Sequence, residues 1–437
     1  MVFHYKWYMF LIMKCGEQLD QGADHMNEIT IRQAQTEDIL VVESILFDAV
    51  NWLNEIGQPL WGADEVSWDA LSRNYKIENF YLAYSGGNPS GCMALVDHDP
   101  FFWPDVNKGE SLFMHKLAVT KSARKSGVAD ALIEYFKKQG TERGIKTLRL
   151  DTHALRPKLR AFYERHGFVF VKIKIFAGDR HTAFYIHTLP DSVLAENKSS
   201  WNKMADSWFG VTALPTYGCL CPNEDELHLF PDLNGKKVLD IGCGSGHSLK
   251  WCGDHGSAEL WGLDLSGRQL ENAGKYLRDN NYKPKLFCSP MEQNPGLPQD
   301  YFDVVYSIYA IGWTMDLPGT FKLIASYLKS GGIFIFSWDH PFMHCVEAKD
   351  GQLMFSGSYY NAEPFSFQKG GNPVTLLNRR LSDYINALAD AGFSVERVVE
   401  ETDLAVLERE VEFSSDYYAP SKAKQFPLSL IVKAKKP

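Results

Sequence analysis

The chain has 437 residues, 45% hydrophobic and 13% aromatic, with 45 Lys+Arg against 54 Asp+Glu and a formal net charge of −9. This length is too great for one ordinary core and predicts two domains, and the composition excludes a disordered or fibrous chain. The charge is uneven: residues 1–190 carry 22 Lys+Arg and 23 Asp+Glu, which leaves 23 against 31 in the remainder, an acidic second half that argues against a nucleic-acid substrate.

The eight cysteines are scattered and form no disulfide framework, which fits a reducing, cytoplasmic setting. Cys219-Leu-Cys221 with His228 matches no common zinc spacing, so no metal is expected. At the amino terminus the apolar patch Trp7–Met13 is too short to span a bilayer and lacks a small-residue cleavage site, so no membrane association is expected. Residues 1–26 read as a poorly ordered extension, as a start codon placed too early would give; from Met26, "MNEITIRQAQTEDI" reads as a first strand and a helix cap.

Next comes "LFMHKLAVTKSARKSGVADALIEYFKKQG". Strand Leu112–Val119 leads through "RKSGVA" into a helix whose Ala131, Leu132, Tyr135 and Phe136 form one apolar stripe. Arg124-x-x-Gly127-x-Ala129 sets backbone N–H groups and a guanidinium at the helix start, a site suited to a pyrophosphate. "KTLRLDTHA" alternates as a strand, and "KLRAFYERHGFVFV" reads as a short helix, Gly167-Phe168 and another strand.

Residues 27–190 thus resemble the GNAT N-acetyltransferase family. The resemblance implies a mixed sheet splayed between its fourth and fifth strands to admit acetyl-coenzyme A, and transfer of an acetyl group to an amine. By the same resemblance Leu117 and Val119 offer backbone contacts to the pantetheine arm and thioester. The loop Arg124, Lys125, Ser126, Gly127, Val128 and Ala129 would hold the pyrophosphate, and Tyr163 of "FYERHGF" would be the general acid for the leaving thiolate. Arg156 stands where the family commonly has Asn. Glu110, His115, Asp151 and His153 fall near strand ends as candidate bases, none distinguished from the others. "TLPDSVLAENKSSWNK" then closes the strand at Leu189-Pro190, and residues 191–200 read as a polar linker.

"VLDIGCGSG" places glycines at 242, 244 and 246 after a strand and before the helical "SLKWCGDHG". "AELWGLDLS" gives a second strand ending in Asp264, an acid at the expected distance to accept ribose hydroxyls. Strand patterns follow at 285–290, 301–311, 331–340, 393–401 and 427–436, the last two joined without a helical crossover, as an antiparallel pair requires.

Residues 201–437 accordingly resemble class I S-adenosylmethionine-dependent methyltransferases, which implies a Rossmann-like seven-stranded sheet. The resemblance places the methionine end of the donor at Asp240, Gly242, Gly244 and Gly246, the ribose at Asp264 and the adenine beside Met291. Family members often carry an acid just before that last position to receive the adenine amino group; here it is Pro290. "SIYAIGW" lacks the Asn-Pro-Pro-aromatic sequence of many enzymes that methylate planar amines. "SWDHP" brings Asp339 and His340 to a strand end as candidate bases or as cap and loop residues. Trp201, Trp208 and Tyr217 are candidates for a lid, and the aromatic insertion 341–380 for a substrate cap.

The expected protein is an α/β fusion of two domains acting on small-molecule substrates with acetyl-coenzyme A and S-adenosylmethionine. The alternative is that one half binds its cofactor without turnover, as a sensor or scaffold. The sequence specifies neither acceptor nor oligomeric state.

Overall fold

The computed structural model describes residues 28–361 and 363–437, so the extension expected over 1–26 lies outside the described residues. The chain forms two seven-stranded mixed sheets. The first contains β1 (Ile29–Gln33), β2 (Phe80–Ser85), β3 (Asn88–Val96), β4 (Ser111–Val119), β5 (Thr147–His153), β6 (Val169–Phe176) and β7 (Arg180–Thr188), in the order β1-β2-β3-β4-β5-β7-β6. Its helices are α1 (Ile39–Glu55), α2 (Trp68–Leu71), α3 (Val128–Glu142) and α4 (Pro157–Arg165).

Gly86 and Gly87 both have positive φ, which lets a two-residue turn return β2 into β3. β4 and β5 run parallel, with a register from Ser111↔Thr147 to Met114↔Leu150. The next residue but one, Lys116, has φ +52, a kink just ahead of Leu117. The pairing ends at Met114, between the two strands that the resemblance expects to part. In α3, Leu132, Ile133 and Phe136 are buried, so the core stripe is wider than its pattern suggests.

The second sheet has the order β10-β9-β8-β11-β12-β18-β17. Its strands are β8 (Lys237–Ile241), β9 (Glu259–Asp264), β10 (Lys285–Cys288), β11 (Phe302–Ile308), β12 (Leu328–Asp339), β17 (Ser394–Val399) and β18 (Ser429–Lys435). Five are parallel, and β18 pairs antiparallel with both β12 and β17. The helices α5 (Pro190–Met204), α6 (Glu224–Leu227), α7 (His247–Asp254), α8 (Gly267–Asp279), α9 (Leu317–Tyr327), α10 (Leu381–Asp390), α11 (Leu404–Glu408) and α12 (Pro420–Ala423) complete it. Strand order reverses between β8 and β11, and open α/β sheets bind ligands beyond the carboxyl ends of strands at such a point. Phe321, Phe334, Phe336 and Tyr384 fill the core on one face and Leu249, Cys252 and Tyr306 that on the other.

Three segments differ from expectation. Residues 191–200 are not a loose linker but part of α5, which buries Val193, Asn197, Ser200 and Met204 at helical spacing. The two polar members hide this stripe from a hydrophobicity pattern. Within 341–380 the chain makes two hairpins, β13 (Val346–Lys349) with β14 (Gln352–Phe355) and β15 (Pro364–Lys369) with β16 (Asn372–Leu377). The β17–β18 connection, read as loop, contains α11 and α12. Among the described residues, no helix is long and apolar enough to cross a membrane.

Candidate active site

A cavity of about 610 Å³ opens at the carboxyl ends of β8, β9, β11 and β12. The glycine loop forms its floor. Gly242 has φ +77, and a Cβ there would stand 2.4 Å from the Ala310 Cβ, so any side chain would clash and strain the turn. Gly244 donates its N–H to Asp264 Oδ2 at 2.9 Å, and Ser266 donates to Oδ1 at 2.8 Å. Burial still pushes the Asp264 carboxyl up to about 6. Asp240 is fully buried beneath the loop and lies well above the usual carboxylate range, through burial first and the Asp264 charge second.

This wall is rich in acceptors. Besides the two carboxylates, Gln269 Oε1 and Glu292 Oε2 are buried without a hydrogen-bond partner. Such atoms are costly to leave unmatched, and a ligand carrying positive charge and several donors relieves them. S-adenosylmethionine, with its ammonium, sulfonium, ribose hydroxyls and adenine amine, fits that demand. Asp240, Gly242, Gly244, Asp264 and Met291 line the cavity, and so do Trp201 and Trp208, whereas Gly246 does not: a Cβ there would stand 3.0 Å from Leu277 and 3.1 Å from Ala273, so this glycine serves the packing of the loop on α8. Tyr217 does not line it either. It is fully buried in the core with its hydroxyl on Glu224 Oε2 at 2.6 Å, so it forms no lid.

The opposite wall surrounds Asp339, at the end of β12. Tyr309 donates its hydroxyl to Oδ1, and Tyr418 donates to Oδ2 at 3.2 Å. Burial raises the Asp339 carboxyl to about 6 in spite of these bonds. Tyr309 itself has φ +53, an uncommon conformation for a bulky residue, and one that strained functional positions often adopt. Lys369 also lines this wall, with Nζ 4.2 Å from the Trp208 ring centroid. Its ammonium is held below the usual lysine range by burial, against the pull of Asp339.

Of the two roles the sequence leaves open for His340, the structure supports the cap and not the catalytic base. Its Nδ1 accepts from the Phe342 N–H at 3.2 Å and its Nε2 meets Glu400 Oε1 at 2.8 Å. With one nitrogen accepting and the other donating, the ring has no lone pair left for a base. It caps the turn Pro341–Cys345 instead. Cys219 lies by Tyr309 and Asp339, Cys221 lies against Ser429, and His228 closes α6.

On the first sheet, Lys125 and Gly127 both have positive φ, and α3 begins at Val128. This bends the Arg124–Ala129 loop into a concave run of backbone ahead of a 15-residue helix, the geometry of an anion nest. Arg124 stacks on Trp52, its Nη1 is buried without a hydrogen-bond partner, and burial lowers its guanidinium from the ordinary value. An unmatched cationic donor beside a nest suits the phosphates of coenzyme A. Leu117 and Val119 lie on β4 after the kink.

Tyr163 lies on α4, buried among Phe162, Phe168 and Tyr185. Burial, with the Asp151 charge behind it, pushes the phenol above its ordinary value and keeps it protonated. Among the four candidate bases the structure sets His115 apart: Nε2 is 3.4 Å from Asp99 Oδ2 and Nδ1 is 3.8 Å from Asp151 Oδ1. Asp99, His115 and Asp151 each offer an atom within 4.8 Å of the others, a donor set the sequence did not reveal. Glu110 is instead tied to Asn107, and His153 Nδ1 accepts from Leu155.

Comparison with known proteins agrees with both sheets. A methyltransferase-domain family model matches residues 220–398, and the model of the acetyltransferase (GNAT) family matches 47–168. An uncharacterised protein of Haemophilus influenzae is 32% identical over 189 residues, 40% of this chain and 73% of that protein. A sterol 24-C-methyltransferase of Aspergillus fumigatus is 33% identical over 127 residues, 28% of this chain and 34% of that enzyme, so the chain spans about a third of its length. A solved S-adenosylmethionine-dependent methyltransferase from Mesorhizobium loti shares 27% identity over 48% of this chain and 94% of that one, with a TM-score of 0.40. Residues 47–168 thus carry the match to the acetyltransferase (GNAT) family and residues 220–398 the match to a methyltransferase domain, one after the other on a single chain.

Proposed function

We propose that the chain is a bifunctional transferase that methylates a hydroxyl or amine of a small molecule in its second domain and acetylates an amine in its first. The observation that carries the methyl-transfer reading is a cavity in which the acceptor-rich donor wall faces Asp339. Bound S-adenosylmethionine supplies the activated methyl group. Asp240, Gly242, Gly244 and Asp264 hold and orient it. Asp339, positioned by Tyr309 and Tyr418, takes the proton of the acceptor as its heteroatom attacks, and a carboxyl near 6 is ionised at neutral pH yet still basic enough for that role. Trp201, Trp313, Trp338, Phe365 and Phe367 give the acceptor an apolar, aromatic enclosure that excludes water.

In the first domain, bound acetyl-coenzyme A supplies the acyl group. The Arg124–Ala129 loop receives its phosphates, the backbone at Leu117 and Val119 its pantetheine arm, and Tyr163 the proton-donor role toward the thiolate. We place the two domains at 27–190 and 201–437.

Calorimetric titration with S-adenosylhomocysteine tests the donor site. The expected outcome is that Asp264→Ala weakens binding at least about tenfold, the usual scale for losing hydrogen bonds to a buried charge. Circular dichroism of the variant should match that of the parent. Undiminished affinity in a folded variant would refute the assignment.

A further inference from the structure

We propose that the methyl acceptor of the second domain is a carboxylic acid and that Lys369 selects it by pairing with its carboxylate. The inference rests on the reading that this cavity performs methyl transfer, and it names the acceptor class. Lys369 ends β15 and lines the cavity. Side chains alternate along a strand, so Phe365, Phe367 and Lys369 share one face of it. The two rings stack with centroids 5.3 Å apart, and both line the cavity. This face is an apolar plate that ends in a cation. The turn beyond it is firmly seated: Gly370 and Gly371 have positive φ, and a Cβ built on Gly370 would stand 3.3 Å from the Met204 Sδ of α5.

What this cation lacks is an anion. Its Nζ lies 4.2 Å from the Trp208 ring centroid and makes no hydrogen bond or ion pair among the described residues. A ring face attracts an ammonium but leaves its three N–H donors without strong acceptors. Burial holds the ammonium below the usual lysine range, and among the carboxyls of the cavity it is Asp339 whose charge opposes this. The donor-wall acids Asp240 and Asp264 do not, which sets Lys369 on the acceptor side. Asp339 is itself engaged by the hydroxyls of Tyr309 and Tyr418. Arg379, which also lines the cavity, directs its guanidinium to the Gly312 and Thr314 carbonyls. An acceptor that lies along Phe365 and Phe367 and carries a carboxylate supplies the missing partner. One ammonium, without a guanidinium fork or a run of backbone N–H groups, suits a single charge better than a phosphate dianion. Because Lys369 and Asp339 feel each other's charge, the carboxylate and the reacting heteroatom of the acceptor stand a few bonds apart, as in an ortho-hydroxy acid.

The test is calorimetric titration of the full chain, saturated with S-adenosylhomocysteine, with 2-hydroxybenzoate and with 2-hydroxybenzamide, its neutral counterpart of the same shape. The parent chain is expected to bind the acid about tenfold or more tightly than the amide, the scale of one hydrogen bond between charged groups. Lys369→Met should abolish that preference, while Lys369→Arg, which keeps the charge, should retain it. Affinity for S-adenosylhomocysteine should stay within about twofold of the parent value in both variants. Equal affinity of the parent for acid and amide, binding of neither, or a preference that survives Lys369→Met would overturn the proposal. A loss of S-adenosylhomocysteine affinity in Lys369→Met would assign the ammonium to the carboxylate of the donor and overturn it too. Failure of the parent chain to bind S-adenosylhomocysteine at all would overturn the methyl-transfer reading itself, and this proposal with it.

Discussion

Asp339 owes its usefulness to two opposed effects. Burial raises its carboxyl to about 6, and the hydroxyls of Tyr309 and Tyr418 keep it from rising further. A base acts in its deprotonated form, so activity should be present above pH 6 and lost as pH falls through it. With donor saturating, so that titration of Asp264 does not enter, kcat is expected to rise through about pH 6 and level off above it. Asp339→Asn should lower kcat by about a hundredfold or more without weakening S-adenosylhomocysteine binding. A flat profile from pH 5 to 8 in the parent, or an Asn variant of full activity, would remove the assignment. Asp339 was legible because strand ends of open α/β sheets face ligands. Its two tyrosines were not: Tyr418 comes from the β17–β18 connection, whose sequence carries no periodic signal. For His340 the sequence left base and cap both open, since the Glu400 carboxylate that decides for the cap is 60 positions away.

At the scale of elements, the strands were read well because buried parallel strands and the glycine turns beside them have distinctive sequences. "VLDIGCGSG" yields β8, the turn and the start of α7 at positions near those expected. Helix α5 was missed because its buried stripe includes Asn197 and Ser200. Yet Asn197 fastens the helix. Its Nδ2 donates to the Thr375 carbonyl at 2.7 Å and its Oδ1 accepts the Thr375 N–H at 2.9 Å, while Ser200 donates to the Pro373 carbonyl. These bonds hold β16, and through it β15, whose Phe365 and Phe367 wall the cavity. Asn197→Ala leaves a buried N–H and a buried carbonyl unmatched. It should lower stability by about 2–4 kcal/mol, read as a lower urea midpoint of tryptophan fluorescence. A change of less than about 0.5 kcal/mol, the usual range for an unimportant surface site, would show that the clamp carries little. The hairpins themselves were illegible in kind: the insertion's aromatics announced a cap but gave no register.

At the scale of the whole molecule, two unrelated sheets lie on one chain, each with the elements of a cofactor site built from its own local sequence. The nest before α3 and the glycine loop after β8 meet anions and donors by opposite means. The first presents backbone N–H groups and a guanidinium, the second buried acceptors. This division was legible because both loops are short motifs whose glycines leave a trace in sequence. The acceptor sites were not, because they draw side chains from distant loops. The excess acidic charge in the second half suits a cationic donor as well as it disfavours a phosphate backbone.

Calorimetric titration of the intact chain with S-adenosylhomocysteine and, separately, with coenzyme A tests the central claim most directly. Two working transferase domains predict that each ligand binds with a stoichiometry near one per chain. Binding of only one would contradict the bifunctional account and leave the silent domain as a scaffold.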